Sequence, residues 1–241
     1  MPGNNKNIRG LLFDKDGTLF DYADTWGPLT SRFIAELANG DDLISQRLAR
    51  VFEFDLEEAV FLKHSRFVAG TPEAAMEGIL AILPDLSRDE LDLAYHQATI
   101  DAELVSSVPL APLMDTLIVH GFKVGVSTND SEAAARSQLR SVDIEEKFHF
   151  IAGYDSGFGA KPEPGMQKAF CIATQLQPDQ VAMVGDSRHD LLSGRAAKML
   201  TVGVLTGIAS RDELLPFADV VLDDIGGLID WLGLPGAQRS D

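Results

Sequence analysis

Apolar residues along the chain fall into short, nearly continuous bursts separated by longer stretches with helical spacing. The first burst is Ile8, Leu11, Leu12 and Phe13, stopped by Asp14 and the turn pair Asp16-Gly17. Residues 122–127, 148–152, 181–185 and 201–205 have the same character, and 218–222 form a weaker copy. Runs of this length and density predict strands covered on both faces. Between them, residues 113–120, 131–140, 165–176 and 190–199 read as helices. From about Val108 onward the two types alternate, which predicts a parallel sheet, joined by the first strand, with helices on both faces.

The stretch from Asp24 to Ser107 is different. Phe33, Leu37, Leu43, Leu48, Val51 and Phe52 recur at helical spacing, and no strand-like alternation is evident. Helix starts are expected at Thr71-Pro72-Glu73 and at Ser87-Arg88-Asp89-Glu90, the second a capping-box pattern. A structureless loop of this length does not belong in a compact domain. The pattern therefore predicts an α/β core from residues 1–20 and 108–241, interrupted by an all-helical domain over 21–107.

Composition adds limits. Hydrophobic residues make up 45% of 241 positions, enough to bury a core, and the formal net charge is −17. That charge, without a basic stripe, argues against nucleic acid and against an anionic membrane surface as partners. No apolar run reaches the roughly eighteen residues that span a bilayer. Residues 1–10 are polar and Cys171 is the single cysteine, so a cytoplasmic setting is expected. Cys171 falls on the apolar side of its predicted helix and reads as core.

Four polar clusters carry candidate chemistry. Phe13-Asp14-Lys15-Asp16-Gly17-Thr18-Leu19 falls where the first strand ends, and ligands of open parallel sheets bind beyond the carboxyl ends of strands. Two carboxylates two residues apart can converge once the chain turns. One can serve as nucleophile or metal ligand and the other as general acid and base. Gly17 permits the turn, and the Thr18 hydroxyl can donate to an oxyanion. A calcium loop also opens Asp-x-Asp, but it wants Gly at its sixth position and Glu at its twelfth; here those are Leu19 and Thr25. A plain Asp-Gly turn is the alternative.

Val124-Gly125-Val126-Ser127-Thr128-Asn129 runs into the helix expected from Ser131. It reads as a phosphate site built on Ser127 and main-chain N–H groups, or as a simple N-cap. In Gly159-Ala160-Lys161-Pro162-Glu163-Pro164, Lys161 sits on a proline-stiffened turn, placed to meet a phosphate or merely to face solvent. Val184-Gly185-Asp186-Ser187-Arg188-His189-Asp190 ends another strand. Asp186 and Asp190, four apart, could join a carboxylate of the first strand in an all-oxygen site for a hard cation such as Mg2+. An acid-rich helix N-terminus is the alternative.

Asp-x-Asp-Gly-Thr, Ser/Thr-Asn, Lys-Pro and Gly-Asp-x-x-x-Asp, in this order and each at a strand end, resemble the haloacid dehalogenase superfamily of phosphatases. The resemblance covers essentially the whole chain, with 21–107 similar to that family's helical cap and the general layout similar to phosphoglycolate phosphatases. It implies a Rossmann-like core, with Asp14 as nucleophile forming an aspartyl-phosphate and Asp16 protonating the leaving oxygen, then activating water. Gly17, Thr18, Ser127, Asn129 and Lys161 would hold the phosphoryl group. Mg2+ would be held by Asp14, the main-chain carbonyl of Asp16 and Asp186, with Asp190 in support.

The implied activity is hydrolysis of a small phosphorylated metabolite, with 2-phosphoglycolate as the first candidate. A sugar-phosphate phosphatase or a β-phosphoglucomutase-like mutase stays open, as does a phospho-acceptor switch, a different class. Asp16 separates the chain from the dehalogenating and phosphonate-cleaving branches, which lack it. The segment 108–112 and Gly165 depart from the usual pattern at positions without chemistry. Substrate choice would lie in the insert, where Lys63, His64 and Arg66 form a close basic cluster, readable as a carboxylate contact or as solvated helix surface. Monomer and homodimer are both compatible with the sequence.

Overall fold

The computed structural model describes residues 7–62, 65, 73–100 and 102–235. Its contacts divide the chain into two units: residues up to Asp21 with those from Ser106 onward, and Tyr22–Val105. The first unit opens with strand β1 (Gly10–Phe13) before the chain builds the second.

The second unit holds helices α1 (Tyr22–Ala38) and α2 (Asp42–Phe52), a hairpin of β2 (Phe54–Asp55) and β3 (Val60–Phe61), then α3 (Glu73–Ile82) and α4 (Arg88–Ile100). Phe33, Ile34, Leu48, Phe52, Met76, Ile79 and Leu91 are buried, with Phe33 edge-on to Phe52 and Tyr95. Asp41 caps α2 by accepting from the N–H groups of Leu43 and Ile44. Ser87 and Glu90 form the expected reciprocal cap of α4.

One expectation for this unit is corrected. The unit is not all-helical, because β2 and β3 pair antiparallel, Phe54 with Phe61 and Asp55 with Val60. Two residues a side are too few to show alternation. The turn is held locally, by Asp55 accepting from the N–H groups of Glu57 and Glu58. Of the apolar residues at helical spacing, Leu43 is exposed: nine residues at 3.6 per turn set it on the opposite side of α2 from Phe52. The predicted helix start at Thr71-Pro72 and the cluster of Lys63, His64 and Arg66 lie outside the described residues.

The first unit continues with α5 (Leu110–Val119), β4 (Lys123–Ser127), α6 (Glu132–Ser141), β5 (Phe150–Ala152), α7 (Gly165–Thr174), β6 (Val181–Gly185), α8 (Arg188–Ala196), β7 (Leu200–Val204), α9 (Arg211–Leu214), β8 (Val220–Leu222) and α10 (Leu228–Leu232). The six strands form one sheet in the order β5-β4-β1-β6-β7-β8, and every pairing is parallel. β1 and β6 are buried at every position, as dense apolar strings require when both faces of a sheet are covered. Leu12, Val181 and Met183 pack with Phe170 and Cys171 of α7, so Cys171 is core. Among the described residues, no helix is long and apolar enough to cross a membrane.

The strand order places the chemistry. After β1 the sheet grows through β4 to β5 on one side, and then resumes at β6 on the other. Such a reversal opens a crevice at the carboxyl ends of the strands on either side of it. Asp14, Ser127 and Asp186 stand at the ends of β1, β4 and β6.

Candidate active site

The backbone beyond β1 turns tightly. The carbonyl of Lys15 accepts from the N–H groups of Leu19 and Phe20, and Gly17 N–H donates to the Phe20 carbonyl. Gly17 has φ of 77°, and a Cβ there would come within 2.5 Å of the Asp186 carboxyl carbon. Only glycine meets both demands.

Three carboxylates converge beside this turn. Oxygens of Asp14, Asp186 and Asp190 all lie within 4.8 Å of one another, and all three residues are buried. Asp14 follows β1 and Asp186 follows β6. Asp190 is presented by α8, which begins at Arg188, two residues before the expected start. Ser187 is its N-cap: its hydroxyl donates to Asp190 Oδ2 at 2.6 Å, and its N–H donates to the same oxygen at 3.0 Å. The carboxylate that caps the helix is thereby fixed beside Asp186 and Asp14.

Lys161 joins the group from the loop after β5. Its Nζ donates to Asp14 Oδ1 at 2.5 Å and to Asp190 Oδ1 at 2.6 Å. Asn129 clamps that loop at its main chain, accepting from the Lys161 N–H and donating to the Lys161 carbonyl. The Asn129 side chain is therefore committed to positioning the lysine.

Three buried acids outnumber one buried ammonium, and the electrostatics follow. Burial and the charge of Asp190 push the Asp14 carboxyl up to about 7, against the opposing pull of Lys161. Burial, with Asp190 and Asp14, also holds Asp186 well above the usual carboxylate range. For Lys161, burial works against the charge, yet Asp14 and Asp190 outweigh it and raise the ammonium above its ordinary value. An uncompensated, all-oxygen, buried donor set fits a hard divalent cation of the Mg2+ type.

The remaining expected residues are near but differently engaged. The Asp16 side chain is partly exposed and pairs with Lys15 at 2.7 Å, outside the acidic triad. Thr18 is fully buried, and its hydroxyl makes no hydrogen bond. Ser127 is buried, and its hydroxyl donates to Met183 Sδ, a weak acceptor, at 3.7 Å. Sequence reasoning missed the loop after β7. There the Thr206 hydroxyl donates to the Gly17 carbonyl at 2.7 Å, and a Cβ on Gly207 would overlap Asp186 Oδ2. The end of a predicted strand was the available signal, since β7 runs into Thr206-Gly207 as β1, β4 and β6 run into their own clusters.

Fold and site together define a doubly wound α/β enzyme core with an acidic, lysine-bridged centre at its carboxyl edge. Residues 11–204 match the haloacid dehalogenase-like hydrolase family, and the chain belongs to it. A phosphoglycolate phosphatase of Rhodospirillum rubrum is 29% identical over 94% of this chain and 92% of its own length. One of Salmonella typhimurium is 26% identical over 98% and 97%. The pyrophosphatase PpaX of Anoxybacillus flavithermus is 25% identical over 95% and 98%. In fold, the chain is similar to a haloacid dehalogenase family hydrolase of Deinococcus radiodurans crystallised with bound phosphate and sodium. The TM-score is 0.68 at 19% identity, over 96% of this chain and all of the other.

Proposed function

We propose that this chain is a Mg2+-dependent phosphatase that hydrolyses a small phosphomonoester, 2-phosphoglycolate first among them, through an aspartyl-phosphate on Asp14. The observation that carries the reading is the buried bridge of Lys161 between Asp14 and Asp190, set beside Asp186. The full-length similarity to two phosphoglycolate phosphatases supports the choice of ester.

In the first half-reaction an Asp14 carboxylate oxygen attacks phosphorus, the bond to the ester oxygen breaks, and Asp16 gives that oxygen a proton. In the second, Asp16 takes a proton from water, the water oxygen attacks phosphorus, and the bond to Asp14 breaks to release orthophosphate. Lys161, with the Thr18 and Ser127 hydroxyls and the main-chain N–H groups around Gly17 and Asn129, steadies the phosphoryl oxygens. Such transfer depends mainly on positioning and charge. The carboxylates of Asp14 and Asp186, the Asp16 carbonyl and, in support, Asp190 would hold Mg2+, whose charge offsets the repulsion between a carboxylate nucleophile and a phosphate dianion.

Phosphate release from a panel of esters tests the reading, with 2-phosphoglycolate, hexose phosphates and pyrophosphate included. Wild type should turn over repeatedly with Mg2+, stop in EDTA, and stop in Asp14→Asn. Rearranged sugar phosphate without release would instead indicate a mutase. A single stable phosphate per chain would indicate a switch, and full activity in Asp14→Asn would refute the assigned nucleophile.

A further inference from the structure

Lys15 lies between the two acids of the first motif and takes no part in the Asp14, Asp186 and Asp190 cluster. Its side chain is fully buried. Its Nζ is 2.8 Å from Asp16 Oδ1, 2.7 Å from Asp16 Oδ2 and 3.4 Å from Asp130 Oδ2, and it donates to Gln138 Oε1. Gln138 is itself buried on α6. Asp130 accepts from the N–H of Ser131, the residue that caps that helix. One ammonium therefore ties the acid beyond β1 to the turn and helix that follow β4.

A lysine is an expensive way to fill such a position. Exchanging a buried ion pair for apolar groups of similar volume is often neutral or stabilising, so stability alone does not account for Lys15. Both acids it touches keep partial access to solvent, Asp16 at 20% and Asp130 at 32% of the side chain, so neither is stranded without it. What the lysine does supply is a fixed location for the Asp16 carboxylate. Lys161 grips Asp14 and Asp190, while Lys15 grips Asp16. The two acids that divide the chemistry are held by separate buried cations.

We infer that Lys15 is a positioning residue for proton transfer: it holds Asp16 in place for the leaving group and for the attacking water, and Gln138 and Asp130 orient it. This rests on the phosphatase reading above, and the test separates the two. Wild type, Lys15→Met, Asp16→Asn and the double variant are compared on 4-nitrophenyl phosphate, whose phenolate leaves without a proton, and on the best alkyl ester of the panel. General acid–base catalysis contributes about 10²–10⁴-fold. Loosening its acid should lower kcat for the alkyl ester by about ten- to a hundredfold in Lys15→Met, with KM little changed. The single-turnover burst of nitrophenolate should stay close to wild type, and Lys15→Met should cause no further loss once Asp16 is Asn.

Equal slowing of burst and turnover, losses that multiply with Asp16→Asn, or wild-type turnover in Lys15→Met would overturn the assignment. A wild type that releases phosphate from neither ester would instead remove the phosphatase reading on which it stands. Thermal melting checks the fold of each variant. If Lys15→Met does not fold, Gln138→Leu goes through the same cycle with the same expected pattern.

Discussion

Replacing Lys161 by Met removes the ammonium from the acidic centre while keeping most of the side chain's volume. Asp14 and Asp190 then lose contacts of 2.5 and 2.6 Å at sites where little water can take the lysine's place. Deleting one partner of a buried pair costs about 3–5 kcal/mol. For a chain of this size, about 2–4 °C of melting temperature accompanies each kcal/mol. Without metal the variant should therefore melt about 6–20 °C below wild type. The loss depends on pH with a definite sign. Burial and Asp190 already push Asp14 up from its ordinary 3.8 to about 7, and losing Lys161 removes a charge that opposes this rise. A carboxyl raised in the folded state leaves stability intact below about 4 and erodes it as pH climbs through the raised value. The deficit should be small at pH 5, evident at pH 8, and still growing above it, because wild-type Asp14 ionises near 7 and the variant's only at a higher pH. Saturating Mg2+ should return part of it, about 2.7 kcal/mol at a hundred times Kd. Melting followed by circular dichroism at both pH values, in EDTA and in Mg2+, measures all of this. A variant that melts with wild type at pH 8 in EDTA would show that Lys161 is not bonded as described.

Two further outcomes follow from the same centre. Because Asp14 without metal is held up to about 7 and Asp186 is also raised, Mg2+ binding should release protons near neutral pH, and its affinity should fall below pH 7 by up to about tenfold per unit for each proton displaced. Calorimetry in buffers of different ionisation enthalpy reads both, and a pH-independent affinity would contradict the buried triad as the site. Gly207→Ala should weaken Mg2+ binding and cost about 1–3 kcal/mol, since a Cβ there overlaps Asp186 Oδ2. Unchanged binding and melting would mean that the loop after β7 does not press on that carboxylate.

What was legible in the sequence was whatever a strand announces by ending. Dense apolar strings identify buried parallel strands, and such strands carry their chemistry at the carboxyl edge. Asp14 and Asp186 stand at such ends, whereas Lys161, in the loop after β5, and Asp190, on α8, were named through the order of the motifs and the family they resemble. The sequence did not disclose which charge holds which. Neighbours in an extended chain point to opposite sides, so nothing in the order of residues pairs Lys15 with Asp16. They meet because the chain leaves the extended state at once, through a turn that Gly17 makes at φ of 77°. Asn129 likewise read as part of a phosphate site or a cap, and it instead clamps the loop of Lys161, 32 residues on. The β2–β3 hairpin was hidden because two-residue strands have no period to detect. These misses share one cause: pairings across a tight turn or between loops are fixed by backbone geometry, which residue type constrains only weakly. The proposed division of labour at the site is a consequence of that geometry. With Lys161 engaged at Asp14 and Asp190, a second cation is needed if Asp16 is to be held independently. The turn at Gly17 is what brings Lys15 within reach to do it.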